Sequence, residues 1–179
     1  METLYALRHP EAGGSKPPPD IIPSKTLNNG DAIAFLQEGK GMKFQEYDVP
    51  DDLAYHKEHH WVRKEGDHYI MGVTEFAAKL AGDITYVDMP SEGDKISLDK
   101  PFGTMESGKW VGKLYGPFDG EIVEVNSEVA DDATIINKEP FGKGWIVKAK
   151  PKDPSQVSKL LNSAGYIEVM KKKLSEIKK

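Results

Sequence analysis

From about residue 51 onward, apolar and polar positions alternate over short runs that Gly, Pro, Asn and Asp interrupt, which predicts many short strands. HHWVRKEGD (59–67) and HYIMGVT (68–74) predict a strand pair turned at Glu65-Gly66-Asp67, because Asp/Gly pairs supply the backbone angles of hairpin turns. EFAAKLAG (75–82) changes to helical spacing, with Phe76, Leu80 and the alanines on one side. GDITYVDMP then reads as a strand that Pro90 stops. PFGTME, VGKLYGP and GEIVEVN predict further strands, and GWIVKAK (144–150) another. The chain finishes as helix: Asp153 or Ser155 is placed to cap it, and Val157, Leu160 and Leu161 face inward. A second run from Tyr166 ends in lysines that suit a helix C-terminus. The pattern is mainly β with helices at the periphery.

Residues 1–47 read differently. Gly13-Gly14, the run Pro17-Pro18-Pro19 and Asn28-Asn29-Gly30 break each periodicity before it extends. DAIAFLQEG (31–39) predicts one short helix behind a capping aspartate. A mitochondrial presequence is Arg-rich and poor in acids, whereas this segment has Arg8 as its one arginine and includes Glu2, Glu11 and Asp20. Residues 1–47 are therefore expected to form an extension, and residues 48–179 the domain.

GDITYVDM from Gly82 and GEIVEVNS from Gly120 share the pattern Gly-acid-Ile-x-x-Val, which predicts two similar β units packed as a quasi-symmetric sandwich. The isoleucine and valine, three apart, belong on opposite faces of a regular strand. Either both faces are apolar or a bulge intervenes.

Composition removes several functions. Hydrophobic residues make up 38% and charged residues 30% of the 179, and the formal net charge is −5, which argues against a nucleic-acid partner held through phosphates. There is no cysteine, so any sulfur chemistry comes from outside the sequence. No apolar run is long enough for a membrane span, and the N-terminus lacks the layout of a secretory signal, so a cytoplasmic location is expected.

TMESGKWVGKLYGPFDGEIVEVN (104–126) places Lys109 between Gly108 and Trp110 at the tip of a predicted hairpin. Most lysines at such tips are solvated charges. Here, however, ESGKW and LYGPFDGEIVEVN, with EHHWV upstream and INKEPFGKGWIVKAK downstream, resemble the glycine cleavage system H-protein family in order and spacing over residues 49 to about 170. The resemblance implies a lipoyl-domain-type hybrid barrel-sandwich that has no catalytic activity of its own, with lipoate attached covalently to Lys109. An exposed turn lets a lipoate ligase or lipoyl transferase reach the amine, and Gly108 is expected to take φ > 0 there. Glu106 and Ser107 are expected to be read by the ligase or to fix the turn, and Trp110 to offer an apolar shelf for the arm. Biotin domains usually present Met-Lys-Met, which Gly108-Lys109-Trp110 does not resemble.

Other candidates carry less. His56, His59 and His60 raise a metal cluster, but neighbours on a strand point to opposite faces, so a structural role is expected and no metal. FGKGW (141–145) precedes strand-like residues rather than a helix and reads as a tight turn. Asp131, Asp132, Glu121 and Glu124 read as surface charge. Lys171–Lys173, Lys178 and Lys179 read as solvated helix-end charge.

Two positions depart from the resemblance. Where H proteins typically read His-Glu-Trp and, after the lipoyl lysine, Ser-Asp, this chain has His59-His60-Trp61 and Gly112-Lys113. In glycine cleavage the arm carries an aminomethyl cation, and the family glutamate at the place of His60 is implied to face it. A neutral imidazole cannot, and Lys113 would oppose it by roughly 1 kcal/mol in water and about 4 near a protein surface at 4 Å. His60, Trp61 and Lys113 are thus the expected surroundings of the arm and its cargo. The default resemblance implies three partners: glycine decarboxylase, aminomethyltransferase and dihydrolipoamide dehydrogenase. The alternative is a similarity to H-like lipoate-binding proteins that carry sulfur intermediates for a heterodisulfide-reductase-like sulfur oxidation system.

Overall fold

The computed structural model describes residues 33–35 and 41–179. Three short strands come first: β1 (Ile33–Phe35), β2 (Met42–Phe44) and β3 (Tyr47–Val49), paired antiparallel in that order. The helix expected over 31–39 is therefore a strand at Ile33–Phe35, and its other residues lie outside the described ones. A nine-residue helix is marginal in water, whereas pairing with β2 gives this backbone partners. The expected boundary at residue 47 runs through the β2–β3 hairpin, whose Phe44 and Tyr47 are buried.

Next come β4 (Ala54–His56), β5 (His60–Glu65), β6 (His68–Val73), helix α1 (Glu75–Ala81), β7 (Ile84–Asp88), β8 (Lys95–Ile96), β9 (Pro101–Ser107), β10 (Trp110–Tyr115) and β11 (Gly120–Val125). Helices α2 (Ser127–Asp131) and α3 (Ile135–Lys138), strand β12 (Trp145–Pro151), a 3-10 helix (Pro154–Lys159) and helix α4 (Ser163–Ile177) complete the chain. The strands form a six-stranded sheet in the order β4-β5-β6-β12-β11-β8 and a three-stranded sheet in the order β10-β9-β7. This is the expected β-rich hybrid sandwich. The β5–β6 hairpin turns at Gly66, whose φ of 64° favours glycine. Thr74 caps α1 by accepting from the Ala77 amide. Asp153 caps the 3-10 helix, and α4 begins at Ser163 behind Asn162 rather than at Tyr166. Helices α2 and α3 are additions to the expected pattern, each too short to show a helical period.

Alternation along the sheet separates two cores. Val62, Met71 and Val73 face an inner core with Ile84, Met105, Leu114, Ile122 and Val147. Their neighbours Trp61 and Ile70 face a second core with Phe44, Phe76, Tyr166 and Met170. The repeat resolves in favour of bulges: the register shifts between Ile84 and Tyr86 in β7 and between Ile122 and Glu124 in β11. Each extra residue brings isoleucine and the later valine to the inner core, Ile84 with Val87 and Ile122 with Val125. The two copies stand in different sheets. No helix among the described residues is long and apolar enough to cross a membrane.

Trp61 shows how tightly the second core is fitted. Its indole N–H donates to Val73 O (3.1 Å) and Pro140 O (2.8 Å), and its ring fills the space over Gly72, where a Cβ would lie 2.6 Å from Cε2. Gly72→Ala is expected to lower unfolding free energy by about 2 kcal/mol, since an overpacked core typically loses 1–3. Urea denaturation checks this, and an unchanged midpoint would show that the indole moves aside freely.

Candidate functional site

β9 and β10 are joined by the two-residue turn Gly108-Lys109, with Ser107 paired to Trp110 at its base. The turn is exposed. Two hydrogen bonds fix its base: Ser107 Oγ donates to Ala81 O at the end of α1 (2.6 Å) and accepts from the Lys109 amide (3.4 Å). Lys109 Nζ has no hydrogen-bond or ion-pair partner among the described residues, so acylation of the amine would break neither. Gly108 departs from expectation. It does not take a positive φ, and a Cβ there would meet nothing within 4 Å. This turn closes without the left-handed region, and glycine leaves the flank of Lys109 bare instead.

Trp110 is 44% exposed, with its indole folded back over Gly112, where a Cβ would lie 1.7 Å from the ring. Glycine at 112 therefore lets the indole lie against the strand, on the face shared by Ser107. The other face of the sheet carries two cross-strand rows, Tyr86–Glu106–Val111 and Asp88–Thr104–Lys113. Glu106 and Lys113 thus stand on the side opposite Ser107 and Trp110.

The sequence-predicted residues separate into two places. Glu106, Ser107, Gly108, Lys109 and Trp110 share the hairpin tip, whereas His60 and Trp61 lie on β5 and face opposite cores. His60 is buried on the inner side beside Val73, its register partner, and its Nδ1 has no hydrogen-bond partner. Burial, then the neighbouring His56 and His59, lowers its pKa to about 3. His59 sits outside the strand at φ 65° and pairs through Nδ1 with Tyr166 Oη (2.9 Å), which pairs with Thr74 Oγ1 (2.7 Å). Burial, followed by Lys173 and His56, lowers His59 to about 4. His56 is turned to Asp99, 2.8 Å from Nε2. No group of three or more His, Asp or Glu is placed to hold a metal among the described residues.

Of the acids, Glu124 pairs with Lys148, and Asp132 accepts from the Thr134 amide and hydroxyl. Residues 141–145 make the expected turn, with the Gly142 and Gly144 amides both donating to Glu139 O. A surface cavity of about 490 Å³ between Lys95, Glu121 and Lys150 includes none of the hairpin-tip residues. Two residues under the tip escaped the sequence reading. Asn137 Nδ2 donates to Gly82 O (2.9 Å) while its Oδ1 accepts from the Ile84 amide (2.9 Å). The only signal for Gly82 was its place at the head of the first repeat.

A two-sheet β sandwich with a lysine alone at the tip of an exposed hairpin defines a lipoyl-domain-type fold. Residues 53–173 match the family described as Glycine cleavage H-protein. Similar relatives include the glycine cleavage system H proteins of Halalkalibacterium halodurans and Bacillus pumilus. The first is 42% identical over 122 residues, covering 68% of this chain and 95% of the relative. The second is 43% identical over 123 residues, covering 69% and 97%. The crystal structure of a glycine cleavage system H protein from Mycobacterium marinum superposes with a TM-score of 0.62 at 32% identity, covering 67% of this chain and 97% of that one. The chain belongs to the glycine cleavage H-protein family.

The buried histidines make stability pH-dependent. An unfolded histidine titrates near 6.5, so between that value and the lowered folded values the unfolded chain binds more protons. This stability is fully present above about pH 7 and is lost as pH falls toward about 3. His60 alone accounts for about 2 kcal/mol of loss between about pH 7.5 and pH 5. Urea unfolding across this range is expected to show a shallower pH dependence for His60→Gln. An unaltered slope would show that His60 does not resist protonation.

Proposed function

We propose that this chain is a non-catalytic lipoyl carrier, with lipoate in amide linkage to Lys109 Nζ. The observation that carries the reading is the isolated amine on a two-residue turn whose base Ser107 fixes to α1. Lipoate, once bound, supplies a dithiolane that a sequence without cysteine does not have. The residues present fit that role. Nζ loses no partner on acylation, the bare flank at Gly108 gives a ligase or transferase access, and Trp110 offers an apolar face beside the arm. Glu106 is the carboxylate nearest in sequence for the modifying enzyme to read.

Family membership supports work in the glycine cleavage system. In this reading the arm takes an aminomethyl group from glycine decarboxylase to aminomethyltransferase, and dihydrolipoamide dehydrogenase restores the disulfide, in the cytoplasm. Tethering raises the effective concentration of the cargo at each partner. Incubation with a lipoate ligase, ATP and lipoate is expected to add one lipoyl group to the wild-type chain and none to Lys109→Arg, as read by intact mass. Equal modification of the variant would move the attachment elsewhere.

A second reading concerns the cargo. His60, at the place of the family glutamate, is buried and held neutral throughout the physiological range, and Lys113 stands on the outer sheet face. Neither supplies an anion for an aminomethyl cation, which favours a neutral or anionic cargo such as the sulfur intermediates of a heterodisulfide-reductase-like system. Reconstitution with glycine decarboxylase and aminomethyltransferase tests this choice. Lys113→Asp, which changes the exposed charge without burying a carboxylate as His60→Glu would, is expected to transfer aminomethyl groups faster than wild type, and no gain would remove the charge argument.

A further inference from the structure

We propose that Gly82 is the seat of the Lys109 arm and that Asn137 is the positioning residue that holds this seat. For the modified arm this rests on the reading of Lys109 as the lipoyl lysine. The seat itself is made with the lysine stem alone.

A lysine on an exposed two-residue turn has four rotatable bonds, and nothing in the turn dictates where its stem points. Here the stem lies over Gly82: a Cβ built on that residue would come within 2.9 Å of Lys109 Cε, 3.4 Å of Nζ and 3.9 Å of Cδ. The stem therefore occupies the space that any side chain at position 82 would claim. Gly82 is the C-cap of α1, at φ 85° and ψ −157°, a backbone region that essentially only glycine enters. The backbone angle requires glycine there, and the flexible lysine stem fills the space that its missing side chain leaves.

Separate hydrogen-bond systems hold the two halves of the seat. Ser107 ties the hairpin to Ala81. Asn137, from α3, spans the loop beyond it: Nδ2 donates to Gly82 O and more weakly to Ala78 O (3.4 Å), while Oδ1 accepts from the Ile84 amide. The Gly82 amide donates to Ala78 O (3.1 Å), which closes the last turn of α1. An asparagine amide is the group that donates and accepts from one rigid plane, as this loop requires. Before modification, the partial negative end of α1 also favours the ammonium. Amide formation removes that charge and leaves the packing of methylenes on the Gly82 backbone.

The consequence is directional. The arm leaves the hairpin across the C-terminal end of α1 rather than freely into solvent, so one side of it is covered before any partner arrives. Any side chain at 82 turns the stem outward. Displacing the exposed stem costs little, while the strain of a side chain at φ 85° falls on the backbone, so Asn137→Ala reports the arm's direction more cleanly than Gly82→Ala.

The test uses the full chain in two states. In the unmodified protein, proton NMR is expected to show contacts between Lys109 Hε and Gly82 Hα, lost in Asn137→Ala with the melting transition still cooperative. In the lipoylated protein with its arm reduced, alkylation of the dithiol by a soluble maleimide is followed by mass. Gly82→Ala and Asn137→Ala are expected to react severalfold faster than wild type, and Asn137→Gln to fall between. Wild-type alkylation rates in both alanine variants, or absence of the Lys109–Gly82 contacts, would overturn the proposal. A chain that takes no lipoyl group fails at the modification step instead. That result defeats the carrier reading, while the NMR contacts still decide the seat.

Discussion

The Ser107 hydroxyl joins two elements 26 residues apart in sequence, donating to the last carbonyl of α1 while accepting from the Lys109 amide. Without it, a hairpin tip with two exposed residues would swing with the ends of β9 and β10, as tips without side-chain ties generally do. With it, the backbone that carries the lysine is fixed to a helix whose other end Thr74 caps, and Thr74 in turn bonds Tyr166 of α4. Lys109 thus projects from a fixed point. A carrier needs this arrangement, because each partner must find the attachment atom in one place while the cargo reaches several active sites.

The sandwich supplies that fixed point through two bulges. They turn Ile84 with Val87, and Ile122 with Val125, toward one core, and so let the three-stranded sheet close over the six-stranded one. On its far side the larger sheet buries Trp61 and Ile70 against α4 and the β2–β3 hairpin. The hairpin that bears Lys109 thus projects from a sheet covered on its inner face by a continuous core, while its outer face keeps Tyr86 and Val111 exposed.

Much of this was legible from residue order. Alternation located β5, β6, β7, β9, β10, β11 and β12, because each is long enough to show a period of two, and helical spacing located α1. Strands of two or three residues such as β4 and β8 show no period, and the same is true of α2 and α3. The Ile-x-x-Val spacing posed the bulge question without answering it, since bulges appear only in pairing. At the site, Lys109 stood out through the resemblance of its surroundings. The role expected of Gly108 belongs to Gly82 instead, because positive φ occurs at the helix cap beneath the arm and not at the turn. Asn137 was invisible because a side chain reaching Gly82 and Ala78, 55 and 59 residues away, leaves no local pattern. His59, read as structural, pairs with Tyr166, whereas His60, also expected beside the arm's cargo, lies buried on β5 without a partner at Nδ1.

In the proposed function, a single exposed amine on a fixed tip becomes the anchor of a lipoyl arm. Peptide mass mapping of the protein purified from its native cells tests it most directly. The peptide spanning Lys109 is expected to carry one lipoyl group, and no other lysine any. A bare Lys109 in protein taken from cells with lipoate available would contradict it.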